Sequence, residues 1–547
     1  MDRRVVLVGA TGVFGRRLAG LLAARSDITL VLAARREAPL RALAAELAGC
    51  AATLEVAAFD RTRPDALAAL APWAVVDAAG PFQDSDFALP RAAIAAGAHY
   101  VDLADARSFV AAFPAALDQE ARAKGVLAVT GASSTPALSN AVLDRLTAGW
   151  SSIDAVRVAI SPGARAPRGL SVMRAILSYV GRPVRLFAAG RWAEAPGWSR
   201  LARLEFPGLG RRWAALCETP DLDLLPARFA PRREAVFLAG LELSVMHLGL
   251  WLLAWPVRLG LVRSLEPLAR PLLALAGLLS RAGSDRGGMV VEARGERTPG
   301  RPAFARWGLC AEAGSGPHVP AAAAAALLRG LAKGRIVARG ATACVGLLTE
   351  ADILAELTHL PIRTEVIETW PDHPALLRRL MGPAFDALPA SLRTVHAGTA
   401  TATFHGAGRA RGARAPIPTL ARALLGLPRA GAYPDLAVTI SPEGPAELWT
   451  RAFGPRRFTS RLVSLAEPGC FEEGFGPLRF RFDLQGAPSG FRWRLRGWRF
   501  GPLPLPLALA PRIRATTFDR DGAYRFRVLV AHPWLGVIFG YAGRLET

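Results

Sequence analysis

With 547 residues, 51% of them hydrophobic and 20% charged, the chain is long enough for about three domains with packed cores and too apolar to be disordered. A net charge of +22 raises nucleic acid as a partner, yet all but two of the 67 basic residues, Lys124 and Lys333, are arginines set in an alanine-, glycine- and proline-rich background. Before residue 370 no basic cluster is interleaved with aromatics, so nucleic-acid binding is not expected.

The chain opens on an apolar run, Val5 to Val8, then Gly9, Ala10, Thr11, Gly12, Val13, Phe14 and Gly15, then leucines at helical spacing, Leu18, Leu21 and Leu22. Strand, glycine turn and helix in that order predict a dinucleotide corner. Gly9, Thr11, Gly12, Val13, Phe14 and Gly15 then present backbone N–H groups and a helix N-terminus to a diphosphate. The strand uses the apolar residues that follow Arg3 and Arg4, so no signal peptide is expected. The next apolar run, 28–32, ends in Ala33, Ala34, Arg35 and Arg36, where an NAD site carries a carboxylate for the ribose 2′-hydroxyl. An arginine pair suits a 2′-phosphate, so NADP is expected over NAD; the plainer alternative is two solvated arginines ahead of a helix starting near Glu37.

Further strands at 53–59, 74–79, 99–103 and 126–130 end in small or polar residues, the spacing of βαβ units in a Rossmann-type, doubly wound parallel sheet. Asp60 is expected near the adenine, and Ala79, Gly80 and Pro81 beside the ribose and nicotinamide. The segment 131–136 reads as a helix start, its serines capping the turn or its amides meeting substrate or cofactor. Candidate catalytic side chains at the strand ends are Tyr100, Asp102, Asp105 and Ser133, each able to exchange a proton with a carbonyl or imine. Strand-end hydrogen bonding is the alternative for each. A Tyr-x-x-x-Lys pair is missing there, since Ala104 stands four residues after Tyr100.

GATGVFG at 9–15, DAAGPFQ at 77–83 and AAIAAGAHYVDLAD at 92–105 resemble the NADP-binding domain of the saccharopine dehydrogenase family, in its bacterial oxidoreductase-like branch. FPGLG at 206–210, GSDRGG at 283–288 and GSGPHVP at 314–320 extend the resemblance to about residues 1–365. It implies an α+β second domain, a late helix near 321–333 returning to the nucleotide domain, and hydride transfer with NADP or NAD. The expected domains are 1–135, 136–368 and 371–547.

An apolar stretch at 236–280 carries Glu242 and Pro256 and barely reaches the length of a membrane span, so it is expected as a helical insertion. It is read as a core element, the wall of an apolar substrate tunnel, or a face lying on a bilayer with Trp251, Trp255, Arg258 and Arg263 near the headgroups. Past residue 370, alternation at Phe480, Phe482 and Leu484 and at Phe491, Trp493 and Leu495 predicts a mostly antiparallel β domain, a curved half-barrel with a bulge at Gly497 and helices at 374–388 and 419–427. This part resembles an uncharacterised bacterial domain fused after saccharopine-dehydrogenase-like proteins. Its aromatics form a plain core or line a ligand cavity. The histidines show no metal-ligand spacing, and Cys50, Cys217, Cys310, Cys344 and Cys470 are scattered, so no metal is expected and a reducing cytoplasm fits, with peripheral contact at the membrane's inner face as the variant. The resulting expectation is an NADP-dependent oxidoreductase for an apolar carbonyl, imine or enoyl compound; the rival is a non-catalytic, lipid-associated NADP-binding protein.

Overall fold

The computed structural model describes residues 3–546 apart from 84, 168, 300, 370–374, 399–400, 413–418, 420–426, 444–445, 466, 488 and 502. Contacts divide the chain into two units, Met1–Gly295 with Ala305–Glu368, and Glu296–Phe304 with Thr369–Thr547.

The first unit starts with β1 (Arg3–Val8), α1 (Val13–Ala23), β2 (Ile28–Ala34), α2 (Glu37–Glu46), β3 (Thr53–Ala58), β4 (Ala74–Asp77), α3 (Ala88–Ala95), β5 (His99–Asp102), α4 (Arg107–Ala123), β6 (Leu127–Thr130) and α5 (Ser139–Leu146). β1 lies between β2 and β4, and the parallel pairing runs outward through β3 on one side and β5 and β6 on the other. Val5, Val6 and Leu7 have no exposed surface, because the strand is covered on both faces. This is the doubly wound sheet expected from the sequence.

The chain then builds a mixed sheet from β7 (Ser152–Ser161), α6 (Leu170–Tyr179), β8 (Pro183–Ala188), β9 (Arg191–Pro196), β10 (Ala202–Phe206), β11 (Gly210–Leu216), α7 (Asp221–Phe229), β12 (Glu234–Gly240), α8 (Ser244–Arg258), α9 (Ala269–Leu279), β13 (Gly287–Thr298) and β14 (Arg301–Ala311). β12 runs parallel to β7 and antiparallel to β11 and β8. After α10 (Val319–Ala332), which packs on α1, β15 (Gly340–Ala343) joins the first sheet parallel to β6, as the resemblance implied for the returning helix. α11 (Glu350–Leu354), held by a Thr349–Asp352 capping box, and β16 (Ile362–Thr369) complete this part. The expected insertion starts later than the apolar run does, for residues 236–240 finish β12 with Val236, Phe237 and Leu238 buried. A short apolar run without periodicity reads alike as buried strand or helix.

The second unit holds α12 (Leu376–Met381), α13 (Ala390–His396), β17 (Ala402–Gly412), β18 (Gly431–Glu443), β19 (Ala446–Phe453), β20 (Arg456–Ser464), β21 (Cys470–Phe475), β22 (Leu478–Ala487), β23 (Gly490–Phe500), β24 (Leu503–Leu505), β25 (Arg512–Arg520), β26 (Ala523–His532) and β27 (Gly536–Leu545). Its antiparallel sheet closes on itself through the β22–β23 pair, with β24 a spur on β23, so a closed barrel replaces the expected half-barrel. The predicted bulge is present, with Arg481 opposite Gly497, Phe482 opposite Leu495, and Arg496 left over. Four strands, β21, β24, β25 and β27, are not expected from the sequence. The predicted helix at 374–388 breaks after Met381 at Gly382, whose φ of +57° favours glycine, and the one at 419–427 falls mostly outside the described residues.

Candidate functional site

The turn between β1 and α1 is built around two close approaches that only glycine allows. Gly9 has φ +79°, and a Cβ there would meet the Ala79 backbone nitrogen at 2.8 Å. At Gly15 a Cβ would fall 2.0 Å from the Gly9 carbonyl oxygen, so the third glycine lets α1 seat directly on the turn. Gly12 is the N-cap of α1, which has no side-chain cap and no acidic residue in its first turn. The amides of Val13 and Phe14 and the positive helix end are thereby left for an anion, and the corner fits a diphosphate. Arg35 and Arg36 lie exposed at the end of β2 and the start of α2, where a 2′-phosphate can reach them. Asp60 sits beside Arg35 and closes its own loop, its Oδ1 accepting from the Thr62 amide at 3.0 Å and hydroxyl at 2.9 Å. Those hydrogen bonds, with Arg35 and Arg63 nearby, hold its carboxyl below the usual carboxylate range.

Beyond β4, Ala79 is half-buried while Gly80 and Pro81 are exposed. The loop is pinned by a buried pair that sequence reasoning did not single out. Arg61 meets the Asp77 carboxylate at 2.8 Å, donates to the Ala79 carbonyl and lies over the Phe82 ring. Two sequence candidates turn out to be enclosed. Tyr100 has no exposed surface and stacks on Phe113, its hydroxyl 3.5 Å from Asp77. Asp102 is equally buried, and its Oδ1 accepts from the Ala104 amide, the Gly131 amide and the Thr130 hydroxyl at 2.8–2.9 Å, tying the ends of β5 and β6 together. Ser133 is buried without capping the following turn; its neighbour Ser134 is the one that faces a cavity. Asp105 borders a cavity beside Gln83; although the residue is exposed, desolvation by the surrounding wall pushes its carboxyl up.

Two adjoining cavities lie outside the carboxyl ends of the strands, the position of the ligand crevice in open α/β sheets. One, of about 280 Å³, is apolar, and its wall runs from Phe14 of the glycine turn and Ser134 through Met173, Trp198, Met246 and Leu250. Among the described residues, Ser134 and Asp285 are its only side chains with oxygen. The other, of about 700 Å³, shares Ile160, Pro162, Val172, Ile176, Trp198 and Leu241 with the first and adds Asp105, Thr135, Tyr179, Cys217, Glu218 and Thr219. Trp198 is fully buried with φ +59°, a left-handed conformation that is strained for a bulky residue, and its indole donates to the His247 carbonyl at 3.2 Å.

The polar cavity gathers ionisable groups whose charged forms are disfavoured by burial. The Tyr179 hydroxyl and Cys217 thiol are 2.9 Å apart; burial pushes the phenol well above its ordinary value and the thiol up to about 12. Burial likewise raises Glu218. Asp221, directly behind, is fully buried and is raised by that burial to about 6; it accepts from the Asn140 amide at 3.1 Å on one oxygen while the other has no partner. The Thr135 and Thr219 hydroxyls are also buried and unpartnered. Unsatisfied buried groups around an open volume mark a place where a ligand or water completes the hydrogen bonding. Of the sequence candidates only Asp105 stands among them. Among the described residues, no group of three or more His, Cys, Asp or Glu is placed to hold a metal.

Residues 5–129 match the family model of the saccharopine dehydrogenase NADP binding domain, and residues 388–545 match a domain of unknown function, DUF4166. No curated protein matches the chain. Among solved structures it is similar to apo histidine-tagged saccharopine dehydrogenase (L-Glu forming) from Saccharomyces cerevisiae, at 14% identity and TM-score 0.49 over 67% of this chain and 100% of that one. It is also similar to C. glutamicum DAP dehydrogenase in complex with DAP, at 17% identity and TM-score 0.35 over 65% and 98%. An engineered D-amino acid dehydrogenase bound to NADP+ gives 16% identity and TM-score 0.35 over 66% and 99%. The glycine corner that fits a diphosphate thus lies within the residues that match a saccharopine dehydrogenase NADP binding domain, and the barrel within those that match DUF4166.

Proposed function

We propose that the chain is an NADP-dependent oxidoreductase acting on an apolar carbonyl, imine or enoyl compound. The observation that carries this reading is the apolar cavity whose wall includes Phe14 of the nucleotide turn, so that an apolar compound and a dinucleotide share one boundary. The amides of Val13 and Phe14, with Thr11 beside them, hold the diphosphate, while the Gly12 amide closes the turn on the Gly9 carbonyl; Arg35 and Arg36 hold the 2′-phosphate; Ala79, Gly80 and Pro81 border the ribose. NADP, when bound, supplies or accepts the hydride. Met173, Met246 and Leu250 hold the apolar body of the substrate and exclude water from it. Tyr179, kept as a neutral phenol, is the group we assign to deliver a proton to the reacting oxygen or carbon, with Cys217 fixing its hydroxyl.

The test is NADPH oxidation against a panel of long-chain aldehydes, ketones and enoyl thioesters. Filling the cavity with Met173→Trp is expected to abolish turnover while fluorescence titration shows NADPH binding unchanged; equal turnover by the variant rejects the assignment. One observation favours the rival of a non-catalytic binding protein, namely that among the described residues the apolar cavity offers only Ser134 and Asp285 as proton-exchanging side chains. NADPH binding and retention of an apolar compound, with no oxidation across the whole panel, decides for that rival.

A further inference from the structure

We propose that the outward face of α8, the turn after it and α9 docks on an anionic lipid bilayer, and that the apolar cavity takes its occupant from that bilayer. The second half rests on the functional reading above; the first does not.

Large apolar side chains stand exposed here at helical spacing. On α8 and its C-cap they are Val245, Leu252 and Leu259, seven apart, with Trp255 between the last two; on α9 and just before it, Leu268, Leu275 and Leu278; in the intervening turn, Leu261 and Val262. Leu261 and Leu278 are 75% and 71% exposed, and Val245 and Leu259 67% and 66%. Exposed apolar residues scattered singly are ordinary, but two helices presenting stripes on the same stretch of chain are not. α8 has 15 residues, about 22 Å of helix against the roughly 30 Å of a hydrocarbon core, and no helix among the described residues is long and apolar enough to cross a membrane. Such helices lie in the interface with their apolar face down.

Charge selects the occupant. Arg263, Arg270 and Arg281 are exposed around the stripes, Arg258 lies over the Trp255 ring at 5.2 Å, and Glu266 is the single carboxylate from 244 to 282. A second copy of this face would set arginine against arginine, whereas anionic headgroups complement it. The same helix serves the cavity, since Met246 and Leu250 line it from the opposite side of α8, and Val172, which also lines it, is exposed at the rim. A lipid-like compound thereby has an apolar path from the interface inward.

Full-length protein is sedimented with vesicles of phosphatidylcholine alone and with phosphatidylglycerol added. Co-sedimentation is expected with the anionic vesicles and is weakened by salt. Leu252→Asp with Leu259→Asp is expected to lower the bound fraction about tenfold or more, and Arg263→Glu with Arg270→Glu to remove the preference for anionic lipid, each variant keeping the wild-type melting temperature and NADPH affinity. Wild-type protein remaining in the supernatant, or equal sedimentation by the leucine variant, overturns the docking. So does size-exclusion chromatography showing a wild-type dimer that the leucine variant dissolves, which would make the face a contact between copies. If docking holds, the leucine variant is expected to lose turnover on vesicle-embedded substrates while keeping it on short soluble ones. An equal loss on both overturns supply from the bilayer, and absence of turnover by every form rejects the functional reading while leaving the docking standing.

Discussion

The two units bury ionisable groups in opposite ways. In the barrel they are matched: Arg451 faces Glu473 at 3.6 Å, Glu447 accepts from the Trp449 indole at 2.8 Å and the Leu376 amide at 2.7 Å, and the His396 ring stacks on Trp449 with its Nε2 3.0 Å from the Tyr524 hydroxyl. Only about 40 Å³ remains open among them. In the first unit Thr135 and Thr219 keep unpartnered hydroxyls beside about 700 Å³ of space, with the half-satisfied Asp221 close by in sequence. Satisfied groups without room are architecture, and unsatisfied groups with room await a ligand. The aromatics Trp449, Phe453 and Trp493 accordingly form the barrel's core rather than a ligand cavity, and Phe500, expected on the same inner face, points outward.

The most severe break in this contrast is Arg451→Ala, which leaves Glu473 buried without its cation and is expected to destabilise the barrel by about 3–5 kcal/mol in denaturant titration. Arg451→Met paired with Glu473→Leu should recover most of it. A stable Arg451→Ala protein would mean that solvent or a ligand already serves that carboxylate. On the cavity side, Tyr179→Phe is expected to lower kcat about a hundredfold, roughly 2.7 kcal/mol, with little change in NADPH affinity or melting temperature. A rise in KM alone, with kcat unchanged, would make Tyr179 a wall residue.

How much of this was legible follows the same division. Gly9 and Gly15 could be read because backbone geometry leaves no alternative residue, and the strand ends because small residues mark where chain must pass a ligand. Tyr179, Cys217, Glu218 and Thr219 could not, since they reach the crevice from α6 and from the segment between β11 and α7, elements whose pairing a single sequence does not reveal. A Pro-Gly-Trp run at 196–198 was the available signal. It marks Gly197, where a Cβ would fall 2.2 Å from the Tyr179 carbonyl oxygen, and the left-handed Trp198. In the barrel the alternation of β22 and β23 was plain, but closure depends on pairs far apart in sequence, such as β17 with β27. β27 hid because its alternation is broken by Gly540 and Gly543, the latter needed where a Cβ would meet the Ala407 carbonyl oxygen at 2.7 Å.

A smaller effect sharpens the cofactor side. Arg35→Asp is expected to weaken NADPH about tenfold to a hundredfold, some 1.4–2.7 kcal/mol, and NADH hardly at all, because only the former carries the 2′-phosphate. Equal losses for the two would show the arginine acting through Asp60 and the shape of its loop.

Asp102 falls between the two kinds of burial, with three donors on Oδ1 and none on Oδ2. Desolvation outweighs those donors and raises its carboxyl from 3.8 to about 7, so the folded chain holds a proton there that the unfolded chain has released. Protons bound in the native state exceed those in the unfolded one between about pH 4 and 7, and stability attributable to Asp102 therefore falls as pH rises across that window. Asp102→Asn keeps an oxygen for the three donors and removes the titration. It is expected to change stability by less than about 1 kcal/mol near pH 4, where the native carboxyl is already neutral, and to flatten the decline towards pH 7. Parallel pH profiles for the two proteins would mean that Oδ2 has a donor in solution and that Asp102 belongs with the fully matched groups of the barrel.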